Sequence, residues 1–178
     1  MPSTSIDNGL NALKILWPGV LHAVCAAIPL GATAGSVSSV AGVFRDKPGS
    51  KKKVETNEVW DITHSRLATK ANCDDASDRF ADGEIVEKGA IAVIATVLFA
   101  RDNLRFSRVV KIGDRSDFTV TNSSGLSAGV IECKGNSTIY SSTGANAARK
   151  NVKRSNSPQC RIGVVAFGRP EIRIEVVR

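Results

Sequence analysis

The chain has 178 residues, enough for one domain with a substantial core, and its 42% apolar content excludes a disordered chain. Aromatics are only 5%, which leaves the core to Val, Ile, Ala and Leu and argues against single-strand binding by stacked rings. The net charge of +7 is uneven: residues 101–178 carry 14 basic and 6 acidic side chains, so that half suits an anionic partner.

Residues 1–44 are open to three readings. Ile15 to Phe44 contains no Asp, Glu, Lys or Arg, and Pro18, Pro29 and several glycines interrupt it. It fits packed helices capped near Ser5 or Asp7, a signal peptide ending at Ala32-Thr-Ala34, or a short membrane segment. The weakly basic start and the Gly, Ser and Thr within the run favour packed, mostly helical structure and make a membrane span the least expected. Residues 45–58 follow as a basic loop, with a turn at Pro48-Gly49 and Lys51-Lys52-Lys53 beyond it.

The remainder, residues 59–178, reads as one α/β domain. A short helix is expected near Trp60 to Ala71, and Asp74, Asp75 and Asp78 look like caps for the next helix. Residues 82–101 form a long helix, with acids in its first turn as the helix dipole favours. Glu87 leads its apolar stripe of Ile91, Ile94 and Leu98, an odd place for an acid unless it meets something. Strands are expected at 108–112, 117–122 and 128–134. A basic helix at 143–157 presents Arg149, Lys150, Lys153 and Arg154 and stops before Pro158. Strands at 161–167 and 172–177 close the chain, the last as an edge strand.

The two strands around Ser123-Ser124-Gly125 form a hairpin. A two-residue Ser124-Gly125 turn puts Asp117 opposite Glu132, with Lys134 on the same face. Phe118, Val120, Ile131 and Cys133 point the other way, into the core. Two carboxylates that close repel unless a cation lies between them, and hard oxygen ligands with room for water favour Mg2+ or Mn2+. A lysine beside them can orient water or offset charge on a phosphate.

This hairpin resembles the motif of the PD-(D/E)XK nucleases, the restriction-endonuclease-like superfamily. Asp117 fills the first acid position and Glu132-Cys133-Lys134 the acid-x-Lys; Ser116 stands where the family name has Pro. The likeness covers about the last 95 residues. It implies an α-β-β-β-α-β core, a mixed central sheet flanked by helices, here with an N-terminal mostly helical extension. It implies metal-dependent hydrolysis of DNA phosphodiesters, with Asp117, Glu132 and the Cys133 main-chain carbonyl as ligands and Lys134 at the water. Glu87, with Glu84 as runner-up, would be the helix acid that reaches the site. Asp114 would be an alternate ligand. Arg115, Arg149, Lys150, Lys153 and Arg154 would contact phosphates, and a homodimer would serve double-strand cutting. Two other functions stay open: a nucleic-acid-binding module without catalysis, and a nuclease subunit or effector of a larger complex, with residues 1–44 as an element that engages a partner protein or a membrane.

Other chemistry is poorly supported. Cys25, Cys73, Cys133 and Cys160 are far apart, which argues against zinc and for a reducing, cytoplasmic setting, a secreted disulfide pair being the alternative. His22 and Cys25 lack the context of a Cys-His hydrolase, and neither a Gly-x-Ser-x-Gly nor a Gly-x-x-x-x-Gly-Lys motif occurs.

Overall fold

The computed structural model describes residues 1–9, 35–47, 55–66, 69–109 and 116–178. They form eight strands: β1 (Ser3–Ser5), β2 (Val37–Arg45), β3 (Glu55–Thr63), β4 (Arg105–Val109), β5 (Phe118–Thr121), β6 (Ser127–Asn136), β7 (Cys160–Ala166) and β8 (Glu171–Val176). Three helices lie wholly within the described residues: α1 (Lys70–Arg79), α2 (Asp82–Asp102) and α3 (Ser142–Val152). All eight strands belong to one mixed sheet in the order β1-β3-β2-β8-β7-β6-β5-β4. The protein is thus α/β, as composition and patterning indicate. No helix among the described residues is long and apolar enough to cross a membrane.

The two helices nearest the sheet's centre lie on opposite faces. On β6, Ile131 and Cys133 join the larger core with Ile91, Ile94 and Leu98 of α2, while Val130 joins Ala145, Ala148 and Val152 of α3. α2 is buried from Gly89 to Leu98 on every side, the signature of a helix covered all round. Its outer side meets helical residues 6–9, where the Thr96 hydroxyl donates to the Ile6 carbonyl at 3.4 Å.

The N-terminal third departs from expectation. Residues 37–45 and 55–63 are strands, paired antiparallel from Val37↔Thr63 to Arg45↔Glu55. The helix expected near Trp60 is therefore wrong. Trp60 and Ile62 are buried while their neighbours are not, a period of two that the aromatic residue and its β-branched neighbours fit. The expected boundary at residue 58 falls inside β3, and β2 carries the sheet onward by pairing in parallel with β8. For the same reason β8 is an interior strand between β2 and β7, not an edge. Lys51 to Lys53, His22, Cys25 and the Ala32-Thr-Ala34 signal all lie outside the described residues.

α3 ends at Val152, earlier than expected. The polar stretch beyond it is held by the C-terminal residue instead: Arg178 donates to the carbonyls of Ser155 at 2.6 Å and Ser157 at 2.5 Å.

His64, only 2% exposed, follows β3 and its Nε2 lies 2.9 Å from the Ser38 hydroxyl. Burial lowers its pKa, so the folded state holds it neutral at pH 7. Because the folded pKa is depressed below the ordinary value, acidification through about 6.5 favours the unfolded chain, which takes up the proton first. Replacing His64 with Gln is expected to remove that part of the acid destabilisation, read as the change in urea midpoint between pH 7 and 5. A variant whose midpoints fall in parallel with wild type would show that His64 does not contribute.

Candidate active site

The site begins with the β5–β6 hairpin. Gly125 adopts φ 75° and its N–H donates to the Asn122 carbonyl at 3.0 Å. The Asn122 side chain accepts from the N–H groups of Ser124 and Leu126, each at 3.0 Å. This is a three-residue loop, Ser123-Ser124-Gly125, closed by the Asn122–Leu126 pair, and not the two-residue turn expected. The longer loop shifts the register by one, and a bulge at Ala128 shifts it back. Beyond the bulge Phe118 pairs with Ile131 and Thr119 with Val130, as expected. The expected pairing of Asp117 with Glu132 is not formed: Asp117 stands outside the paired strand, and its N–H donates to the Ile131 carbonyl at 3.0 Å.

Phe118, Val120, Ile131 and Cys133 are buried in the core, so alternation turns Glu132 and Lys134 to the other face of β6. Glu132 is 5% exposed. Its Oε1 lies 3.3 Å from Lys134 Nζ and accepts from Asn151 Nδ2 at 3.3 Å. Lys134 Nζ is also 3.5 Å from Glu87 Oε1. Asp117 stands just before β5, and its Oδ2 accepts the Cys133 N–H at 2.7 Å. That N–H faces the β5 side. In an extended strand a residue's carbonyl points the same way, so the Cys133 oxygen also faces Asp117.

The electrostatics are those of crowded negative charge. Burial, reinforced by the charges of Glu132 and Glu87, pushes the Asp117 carboxyl up to about 6, against the opposing Cys133 N–H and Lys134. The Lys134 amine is held above its ordinary value despite burial, because Glu132, Asp117 and Glu87 surround it. It is therefore protonated at neutral pH. The Cys133 thiol points into the α2 core and burial raises its pKa well above the ordinary value, so it is not a nucleophile.

Of the expected residues, Asp117, Glu132, Lys134 and Glu87 come together. Glu84 does not: its Oε2 accepts the Ala81 N–H at 3.3 Å and closes the first turn of α2. Arg149 is spent elsewhere, against its expected phosphate role. It forks onto Glu175 at 3.0 and 2.6 Å, bracing α3 against β8. Lys150, Lys153 and Arg154 are exposed at the end of α3 beside Asn151, with no ion pair among the described residues. Asp114 and Arg115 lie outside the described residues.

Asn151 is the residue that sequence reasoning missed. It flanks the buried stripe Ala145, Ala148 and Val152, with Arg149 on the opposite flank. A polar residue beside such a stripe, over an acid-bearing strand, was the available signal. A divalent cation here would have two carboxylates, a main-chain oxygen and water. Among the described residues no group of three or more His, Cys, Asp and Glu side chains forms a metal-ligating cluster. No protein-family model, curated protein or solved structure matches the chain.

Proposed function

We propose that the protein is a Mg2+- or Mn2+-dependent nuclease that hydrolyses DNA phosphodiester bonds, with a restriction-endonuclease-like core. The observation that carries this is the gathering of Asp117, Glu132 and Lys134 beside the β5–β6 pair, with Lys134 Nζ 3.3 Å from Glu132 and Asp117 on the Cys133 N–H, within reach of both charges. The succession α2, β4, β5, β6, α3, β7 is the α-β-β-β-α-β order that goes with this motif.

The donor set fits a hard divalent cation: Asp117, Glu132 and the Cys133 carbonyl would hold it, with water completing the shell. Such an ion lowers the pKa of a bound water and offsets charge on the phosphoryl oxygens. The chain's own groups do the rest. Asn151 fixes the Glu132 carboxylate by its 3.3 Å hydrogen bond. Lys134, protonated, donates to the attacking water or to a phosphoryl oxygen; it is a charge donor, not a base. Lys150, Lys153 and Arg154, exposed at the end of α3, would offer charge to a DNA backbone. A homodimer would let two such sites cut both strands, and the free thiols of Cys73, Cys133 and Cys160 would suit a cytoplasmic location.

The test is cleavage of supercoiled plasmid with Mg2+ or Mn2+, with and without EDTA, for wild type beside Lys134→Ala. Metal-dependent nicking that the variant loses is the expected result. Retention of DNA in a gel shift without cutting under either metal would favour a non-catalytic nucleic-acid-binding module. The lack of a three-side-chain metal cluster among the described residues is the point in that reading's favour.

A further inference from the structure

Gly135 follows Lys134 on β6, and Val86 precedes Glu87 on α2. A Cβ added at Gly135 would collide with the Val86 carbonyl oxygen and lie 2.9 Å from both its carbonyl carbon and its Cγ1. The first two are backbone atoms of a helical turn, so no side-chain rotation relieves the clash. Gly135 does not have a positive φ, which leaves space, not conformation, as the reason for glycine. Farther along the same helix, Ile94 Cδ1 would sit 2.7 Å from a Cβ on Gly163 of β7. The middle of α2 is thus seated on the sheet independently. A side chain at position 135 would displace chiefly the helix's first turns, and Glu87 with them.

We infer that Gly135 is a positioning residue: it lets α2 close onto β6 so that Glu87 reaches Lys134 at 3.5 Å. Lys134 then stands between two carboxylates, 3.3 Å from Glu132 and 3.5 Å from Glu87. When Glu132 is engaged by a ligand, Glu87 is the group that keeps the ammonium in place. The geometric part stands without catalysis; the consequence for cleavage rests on the nuclease reading above.

The experiment compares Gly135→Ala, Glu87→Gln, the double variant and Gly163→Ala. The first readout needs no activity: the rate at which an acylating reagent modifies the Lys134 amine, resolved by peptide mass spectrometry at fixed pH. Gly135→Ala and Glu87→Gln are each expected to speed modification about two- to fivefold, the size of a half-exposed ion pair, and the double variant no more than either. Gly163→Ala, which crowds only Ile94, is expected to lower the melting temperature without that change. Cleavage, where present, should fall in the same non-additive pattern.

Wild-type modification rates in Glu87→Gln would overturn the proposal even if Gly135→Ala failed to fold. Additive rates in the double variant would also overturn it, since Gly135 would then act by a route other than Glu87. A protein that shows the modification pattern but cuts no DNA would sink the nuclease reading and leave the positioning intact.

Discussion

Glu132→Gln is expected to reduce metal-dependent cleavage by about 10³-fold while leaving the thermal midpoint near that of wild type. The loss follows from the place of Glu132 at the centre of the cluster. It is the acid nearest Lys134 and the one that Asn151 holds, and it is 5% exposed. A neutral amide of the same shape can still meet Asn151 and Lys134. It cannot supply the charge that a divalent cation needs, and such a ligand is worth several kcal/mol in the transition state. The fold should hold, because the amide keeps the Asn151 hydrogen bond and Lys134 keeps Glu87 at 3.5 Å. Cleavage rate and melting temperature, measured on the same preparations, separate these effects. A variant that loses activity only because it unfolds would melt lower. A variant that cuts like wild type would remove Glu132 from the chemistry and the proposed mechanism with it.

The C-terminal half was legible because its patterns are strong. Strict alternation in Phe118-Thr-Val-Thr and Ile131-Glu-Cys-Lys put acids on one face and core on the other. The long apolar stripe of α2 led to Glu87 in the same way. The expected register of Phe118 and Thr119 came out of two offsetting departures, a loop one residue longer and a bulge at Ala128, while Asp117 falls outside the paired strand. Nothing local in Leu126-Ser-Ala-Gly129 signals that bulge. It is tied to Gly129, whose φ of 104° and close approach to Gln159 come from the pairing of β6 with β7.

The N-terminal half failed for a different reason. β2 and β3 have many small and polar residues on their exposed face, so Val40, Phe44, Trp60 and Ile62 give a thin signal. Their strand character is fixed by partners far away, β2 pairing with β8 from Ala41↔Glu171 to Arg45↔Glu175. Charge was also misread at Arg149. Helical spacing shows that basic residues cluster, but not that an acid more than twenty positions later will claim one of them. Glu175 does so here, and Arg45 donates to the same carboxylate at 3.2 Å.

Asp117→Asn is expected to stabilise the cation-free protein at pH 8 by about 2 kcal/mol and to abolish metal-dependent cleavage. The Asp117 carboxyl titrates near 6 in the folded protein, chiefly because it is buried. The unfolded chain releases that proton near 3.9. The folded state therefore holds the proton more tightly, and the sign is fixed. Wild type loses stability as pH rises from about 4 to about 6 and stays penalised above. Acidification through that window has the opposite effect at His64, whose folded pKa is depressed, so the difference between wild type and Asp117→Asn isolates the carboxyl. The amide keeps an acceptor for the Cys133 N–H, now 2.7 Å from Asp117 Oδ2, and removes the titration. Urea midpoints from pH 4 to 8 should diverge between wild type and variant above pH 4 and run parallel beyond 6. Adding Mg2+ at pH 8 should raise the wild-type midpoint and not the variant's. Its effect on wild type should fade as pH drops below 6, because the ion must then displace the proton from Asp117. Parallel profiles across the whole range would mean that Asp117 carries no such burden. A Mg2+ effect that survives in Asp117→Asn would place the ion elsewhere.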